Sequence, residues 1–143
     1  MENTSVVINE AIPASSQTRS STTAILVIDD DPDLRQLLQT AIEWQGYKAV
    51  LAENGAEGLA ICSIQSDIAA IVCDMEMPVM DGLAFLEKIG RLKPKARVIV
   101  STGGDEANLG RAKTFKVVRA TLPKPYSIPD FWATLERVLY GEA

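Results

Sequence analysis

Short apolar runs alternate along the chain with segments of helical periodicity, and this alternation limits the possible folds more than any other feature. Five runs are predicted as strands: Ala24–Ile28, Tyr47–Ala52, Ile68–Cys73, Arg97–Ser101 and Val117–Leu122. The third has no polar face, and such a strand must be covered on both sides, which is typical of parallel sheets. Right-handed crossovers leave few ways to wind such a chain. The sequence therefore predicts an α/β protein with a five-stranded parallel sheet between two helix layers.

Helices are predicted between the strands from periodicity and from end signals. Asp31 caps the first helix, Pro32 lies in its first turn, and Gly46 ends it. Its inward face is predicted to consist of Leu34, Leu37, Leu38, Ala41 and Ile42. The other helices are predicted from Asn54-Gly55 to Ile64, over Gly82–Arg91, from Asp105 to about Phe115, and after a capping sequence at Ser127–Asp130. The fourth lacks a glycine stop, and we expect it to be frayed or shifted.

Composition divides the 143 residues into a polar start and one domain. Residues 1–23 are rich in Ser, Thr, Asn and Gln, with one apolar patch at Val6–Ile8. Because so little apolar surface cannot offset the entropy of ordering, we expect a flexible tail or linker before a domain over residues 24–143. The net charge of −5 and the lack of a basic stripe argue against nucleic-acid binding. No apolar run is long enough to span a membrane, and residues 1–23 do not resemble a secretion signal.

The reactive side chains limit the chemistry that the chain can perform. Cys62 and Cys73 lie in apolar stretches and are predicted to be reduced core thiols of a cytoplasmic protein. The absence of histidine excludes His-based acid–base catalysis and His-containing zinc sites. Any chemistry must therefore use carboxylates, hydroxyls and amines.

Polar side chains gather where the predicted strands end, at the edge where open parallel sheets bind ligands. Asp29–Asp31 follow the first strand, Asp74 and Glu76 the third, Thr102 the fourth and Lys124 the fifth. Clustered carboxylates repel one another unless a cation or a shared proton is present. Oxygen ligands without His or Cys favour Mg²⁺ or Mn²⁺. A metal, an ammonium and a hydroxyl around one carboxylate suit a phosphoryl group, with that carboxylate as the nucleophile.

Each of these residue types also has common structural roles. Asp31 and Asp81 are assigned to helix starts, where Asp is favoured. Asp74 directly follows five apolar residues, a position where an unused charge would be costly. Strand alternation turns only one of Ser101 and Thr102 towards the rim. Thr102 is preferred because Gly103, which follows it, lets the backbone come close to a phosphate.

Four motifs in order resemble the receiver domain of two-component response regulators over about residues 24–141. They are Asp29-Asp30, Asp74 with Met77-Pro78 and Asp81-Gly82, Thr102-Gly103, and Lys124-Pro125. The resemblance implies a flavodoxin-like, doubly wound (βα)₅ fold and a signalling domain rather than an enzyme, with at most slow self-phosphorylation from small phosphodonors and self-dephosphorylation.

The resemblance also implies a role for each site residue. Asp74 would accept a phosphoryl group from a histidine kinase or histidine phosphotransfer protein. Mg²⁺ would be bound by Asp29, largely through water, by the carboxylates of Asp30 and Asp74, and by the backbone carbonyl of Glu76. Thr102 and Lys124 would contact phosphoryl oxygens, and the Lys124–Pro125 bond would be cis.

Two positions modify that expectation. Receivers usually carry Tyr or Phe three residues before the lysine, whereas this chain has Thr121. We therefore expect its output to pass through the loops after Thr102 and Leu122. Glu76, two residues after the acceptor, is expected to alter the lifetime of the phosphoryl-aspartate.

Other functions stay open at this point. Asp29-Asp30-Asp31 also matches the Asp-x-Asp motif of a metal-dependent phosphatase, in which Asp29 would be the nucleophile. A third alternative is a receiver-like interaction module that is never phosphorylated. No output domain follows Ala143, so we expect a stand-alone regulator or the receiver of a hybrid histidine kinase. We expect a monomer or weak homodimer that meets an unidentified downstream protein through its last two helices and last strand.

Overall fold

A computed structural model of the protein describes residues 23–77 and 79–141, so the predicted tail lies outside the described residues except for Thr23. Its sheet contains five parallel strands in the order β2-β1-β3-β4-β5. The strands are β1 (Ala24–Ile28), β2 (Lys48–Ala52), β3 (Ile68–Asp74), β4 (Val98–Thr102) and β5 (Val118–Pro123). The helices are α1 (Pro32–Trp44), α2 (Gly55–Ile64), α3 (Gly82–Leu92), α4 (Glu106–Ala112) and α5 (Ile128–Tyr140).

Helices cover both faces of the sheet, as the apolar strands predict. Leu26 and Ile28 of β1 belong to a buried cluster that includes residues of α2, α3 and α4. Ile25 and Val27 face the other side and pack in a cluster with residues of α1 and α5. The winding therefore reverses between β1 and β3, which is the flavodoxin-like arrangement. The predicted fold class is confirmed.

Most predicted helix ends are confirmed in atomic detail. The Asp31 side chain accepts hydrogen bonds from the amides at the start of α1, and Ser127 accepts one at the start of α5. Gly46, just after α1, has a φ of 94°, a left-handed conformation that glycine adopts without a Cβ clash.

Cys62 and Cys73 are free and buried, as expected. Among the described residues, no helix is long and apolar enough to cross a membrane.

Several details of the sequence prediction were wrong. Leu37 is 51% exposed, so the buried stripe of α1 is narrower than predicted and centres on Leu38 and Ile42. Strands β4 and β5 both begin and end one residue later than predicted, and their ladder ends at the pair Thr102 and Pro123. Helix α4 ends at Ala112 rather than near residue 115, because the following amides bond to carbonyls three residues back, as in a 3₁₀ turn.

Candidate functional site

The sheet ladder positions the predicted site residues along one rim. Asp29 directly follows β1. Asp74 ends β3, where it pairs with Ser101 of β4. The Lys124 amide donates a 2.9 Å hydrogen bond to the Thr102 carbonyl. The carboxyl ends of four strands thus carry these residues to a common edge, where doubly wound proteins bind their ligands.

Three aspartates meet at this rim. The carboxylates of Asp29, Asp30 and Asp74 each offer an oxygen, and these oxygens all lie within 4.8 Å of one another. Asp29 and Asp74 are each only 3% exposed, whereas Asp30 is exposed. Burial, reinforced by the Asp29 charge, raises the pKa of Asp74 from 3.8 to about 6. A nearby cation would stabilise the ionised carboxylates, and Mg²⁺ prefers oxygen ligands of this kind.

Lys124 supplies one positive charge to this cluster. Its ammonium lies 3.1 Å from Oδ2 of Asp29 and 3.5 Å from Oδ2 of Asp74. Partial burial opposes the charged form, but the two carboxylates outweigh it and raise the pKa of Lys124 above its ordinary value. The Lys124–Pro125 bond is cis, as the resemblance implies. The ammonium is thus held, charged, beside the expected phosphoacceptor.

Glu76 links the end of β3 to the end of β4. Its carboxylate accepts a 2.6 Å hydrogen bond from the Thr102 hydroxyl and a 3.2 Å hydrogen bond from the Gly103 amide. The Glu76 amide donates to Oδ1 of Asp74 at 3.1 Å. Thr102 rather than Ser101 forms the side-chain bond to Glu76. The sequence predicted a metal-binding role for the Glu76 backbone carbonyl and an effect of Glu76 on the lifetime of the phosphoryl-aspartate, but it did not predict the contact between the Glu76 carboxylate and Thr102.

Tyr126 is a second residue that sequence reasoning missed. Burial, with the charges of Asp29 and Asp74, raises the pKa of its phenol. Its ring stacks on Phe131 of α5 with centroids 6.2 Å apart. Thr121, at the expected aromatic position, is half-buried in β5. An aromatic residue whose pKa responds to the aspartates therefore follows the lysine instead of preceding it, and no pattern in a single sequence marks this.

The residues assigned to structural roles occupy them. The Asp81 side chain caps α3 by accepting from the Ala84 amide at 3.0 Å. Gly82 packs so closely against the loop after β3 that a Cβ there would lie 2.7 Å from Cα of Met75. Met75 is fully buried, and its carbonyl accepts from the Gly82 amide at 3.1 Å. This contact holds the start of α3 against the residue that follows Asp74.

Comparison with known families decides between the functions left open. A family model described as the response regulator receiver domain matches residues 25–136. The chain belongs to the response regulator receiver family. The match includes every site residue discussed above and all five strands except Ala24, the first residue of β1. The acidic cluster fits the phosphoacceptor site of such a domain, and the receiver is thus favoured over the metal-dependent phosphatase.

Relatives and solved structures agree with this receiver assignment. The chain is 34% identical over 116 residues to the DNA-binding transcriptional regulator NtrC of Escherichia coli, covering 80% of this chain and 24% of NtrC. A CheY-like receiver domain from Methanospirillum hungatei aligns with a TM-score of 0.78 and 27% identity, covering 83% of this chain and 94% of that one. The response regulator TrrA of Thermotoga maritima, solved with Mg²⁺ and BeF, has a TM-score of 0.72 and 26% identity, with coverages of 82% and 99%. This chain therefore spans about a quarter of the length of NtrC and nearly all of the two receivers.

Proposed function

We propose that this receiver accepts a phosphoryl group on Asp74 from a histidine kinase or histidine phosphotransfer protein, with Mg²⁺ bound at the rim. The observation that supports this most strongly is the meeting of Asp29, Asp30 and Asp74 with the Lys124 ammonium between two of them. The cluster is electrostatically incomplete without a cation. Asp29, Asp30 and Asp74, with the carbonyl of Glu76, would hold that cation, and Mn²⁺ would substitute for it.

The transfer uses groups that line the rim. A carboxylate oxygen of Asp74 forms a bond to phosphorus while the bond from phosphorus to the donor imidazole nitrogen breaks, and the electron pair stays on that nitrogen. Bound Mg²⁺ would neutralise charge on the phosphoryl oxygens. Lys124 offers a second positive charge, and the Thr102 hydroxyl, once released from Glu76, would donate to one phosphoryl oxygen. Because the pKa of Asp74 is about 6, the nucleophile is mostly ionised at neutral pH.

The output differs from a mechanism based on an aromatic residue in β5. Thr121 offers no ring to rotate, so the loops after Thr102 and Leu122 carry the change to a downstream protein target. The last two helices and β5 form the docking face. The domain acts as a signalling module whose own reactions are limited to slow phosphorylation from small donors and slow self-dephosphorylation. Its free, buried cysteines suit a cytoplasmic setting.

Phosphorylation of matched variants tests this function. The protein is incubated with acetyl phosphate and Mg²⁺, and its intact mass is measured. Asp74→Asn should abolish the phosphorylated species, and EDTA should do the same in the wild type. Asp81→Asn is the control, because Asn also caps helices and the residue belongs to the same loop. Equal phosphorylation of the Asp74→Asn variant and the wild type would refute the proposal.

A further inference from the structure

We propose that Glu76 is an internal competitor of the phosphoryl group: its carboxylate occupies the donors of Thr102 and Gly103 that phosphoryl oxygens on Asp74 would use. This inference rests on the proposed function. It assigns the Glu76 side chain a role that is distinct from any contribution of its backbone to metal binding.

The contact has the geometry of a bound anion. Each Glu76 oxygen accepts one hydrogen bond, 2.6 Å from the Thr102 hydroxyl and 3.2 Å from the Gly103 amide. Both donors lie at the carboxyl end of β4, next to the strand that ends in Asp74. The bond from the Glu76 amide to Oδ1 of Asp74 fixes the competitor two residues from the acceptor. Glu76 thus lies in the loop that directly follows the acceptor, and from there its carboxylate reaches both donors.

A phosphoryl group and this carboxylate cannot use the donors together. The hydroxyl of Thr102 has one hydrogen to donate, and it is already directed to Glu76 in a short charge-assisted bond. Two anions at the same pair of donors would also repel each other. Phosphorylation must therefore displace Glu76. The free energy needed to break the Glu76 hydrogen bonds makes the binding of the phosphoryl group less favourable.

Displacement also offers a route for the signal. The Gly104 amide donates to the Thr102 hydroxyl oxygen at 3.3 Å, so Thr102 connects Glu76 to the loop over residues 103–105. When Glu76 is released, the Thr102 hydroxyl and the Gly103 amide of this loop each lose a bond to Glu76 and gain contacts to the phosphoryl group. The exchange acts on the loop after Thr102, which is where output is expected in a chain with Thr121 in place of an aromatic residue.

Beryllofluoride with Mg²⁺ serves as the probe, and ¹⁹F NMR measures its affinity for the metal-loaded protein. Glu76→Ala removes both hydrogen bonds and should tighten binding about tenfold, as expected when a charge-assisted hydrogen bond no longer competes. Glu76→Gln keeps an oxygen that accepts from Thr102 and should fall between the wild type and the alanine variant. Glu106→Gln is the charge-matched control, since Glu106 is an exposed acid in the first turn of α4 beside the same loop.

Amide hydrogen exchange gives a second readout that needs neither metal nor beryllofluoride. The Gly103 amide should exchange faster in Glu76→Ala than in the wild type, and Glu106→Gln should leave it unchanged. Circular dichroism checks that each variant is folded.

The outcomes separate this inference from the proposed function. If Glu76→Ala and Glu106→Gln increased the beryllofluoride affinity equally, the effect would come from net charge alone and the proposed competition by Glu76 would be refuted. Unchanged or weaker beryllofluoride binding in Glu76→Ala would refute it as well. Failure of the wild-type protein to bind beryllofluoride would instead contradict the proposed function. In that case the exchange of Gly103 still shows whether Glu76 holds the loop.

Discussion

Replacing Asp74 with Asn should stabilise the metal-free protein at neutral pH and have far less effect in acid. The carboxyl of Asp74 is buried beside Asp29, and its pKa rises from 3.8 to about 6 on folding. Between these values the folded protein keeps a proton that the unfolded chain has released. Stability is therefore lost as the pH rises through this window, and the loss is complete above it.

The size of the effect follows from the same two values. Ionised Asp74 lowers the free energy of unfolding of the wild type by about 3 kcal/mol at a pH of about 7.5, and by only about 0.5 kcal/mol at a pH of about 4.0. Asn carries no charge, yet its oxygen still accepts from the Glu76 amide. The cost of burying the Asn amide is the same at both pH values. The stability gained by Asp74→Asn should therefore be about 2.5 kcal/mol larger at the higher pH.

Urea unfolding followed by far-UV circular dichroism measures this difference for both proteins at the two pH values, with EDTA present to remove divalent cations. Unfolding slopes must match between the proteins so that the extrapolated free energies are comparable. A gain that is equal at both pH values would refute the argument that Asp74 is held in a desolvated, acidic setting. A variant that is less stable at neutral pH would do the same.

Three further predictions test the neighbouring features. Gly82→Ala should destabilise the fold by about 2 kcal/mol because the added Cβ would overlap the Met75 backbone, whereas Gly90→Ala, in open space on α3, should stabilise it by about 0.5–1 kcal/mol. Urea unfolding measures both free energies, and a Gly82→Ala variant more stable than Gly90→Ala would contradict the close packing at Gly82. Mg²⁺ at about ten times its dissociation constant should stabilise the wild type by about 1.4 kcal/mol, and Asp30→Asn should reduce the gain; an unchanged melting temperature with Mg²⁺ would argue against a metal at this rim. Thr121→Tyr should leave phosphorylation by acetyl phosphate intact, and its loss would mean that residue 121 belongs to the transfer site itself.

The sequence predicted the fold well because its strongest signals are collective. The apolar runs and helical stripes had one arrangement that buried them all, and the caps at Asp31 and Ser127 identified two helix starts. The rim followed from topology, since residues placed after strand ends must meet at one edge of a parallel sheet. Asp29, Asp30, Asp74 and Lys124 were brought together for this reason, although 95 residues separate Asp29 from Lys124.

The features that sequence reasoning missed depend on individual side-chain geometry. Nothing in the spacing of Glu76 shows that its carboxylate turns towards Thr102, because that contact depends on how the two loops end. Tyr126 lies in the turn after β5, a segment that carries no periodicity. Leu37 fits the helical stripe of α1, yet it lies at the edge of the face that α1 buries. Periodicity identifies a face, but only tertiary packing sets its width.

Locating the phosphorylated residue tests the central claim most directly. Acetyl phosphate and Mg²⁺ are added to the full chain, the acyl phosphate is reduced with borohydride, and the modified peptide is identified by mass spectrometry. We predict modification of the peptide that contains Asp74, and at that residue alone. Modification at Asp29 would instead support a phosphatase-like nucleophile, and the absence of modification under conditions that label a known receiver would contradict phosphoryl transfer to this domain.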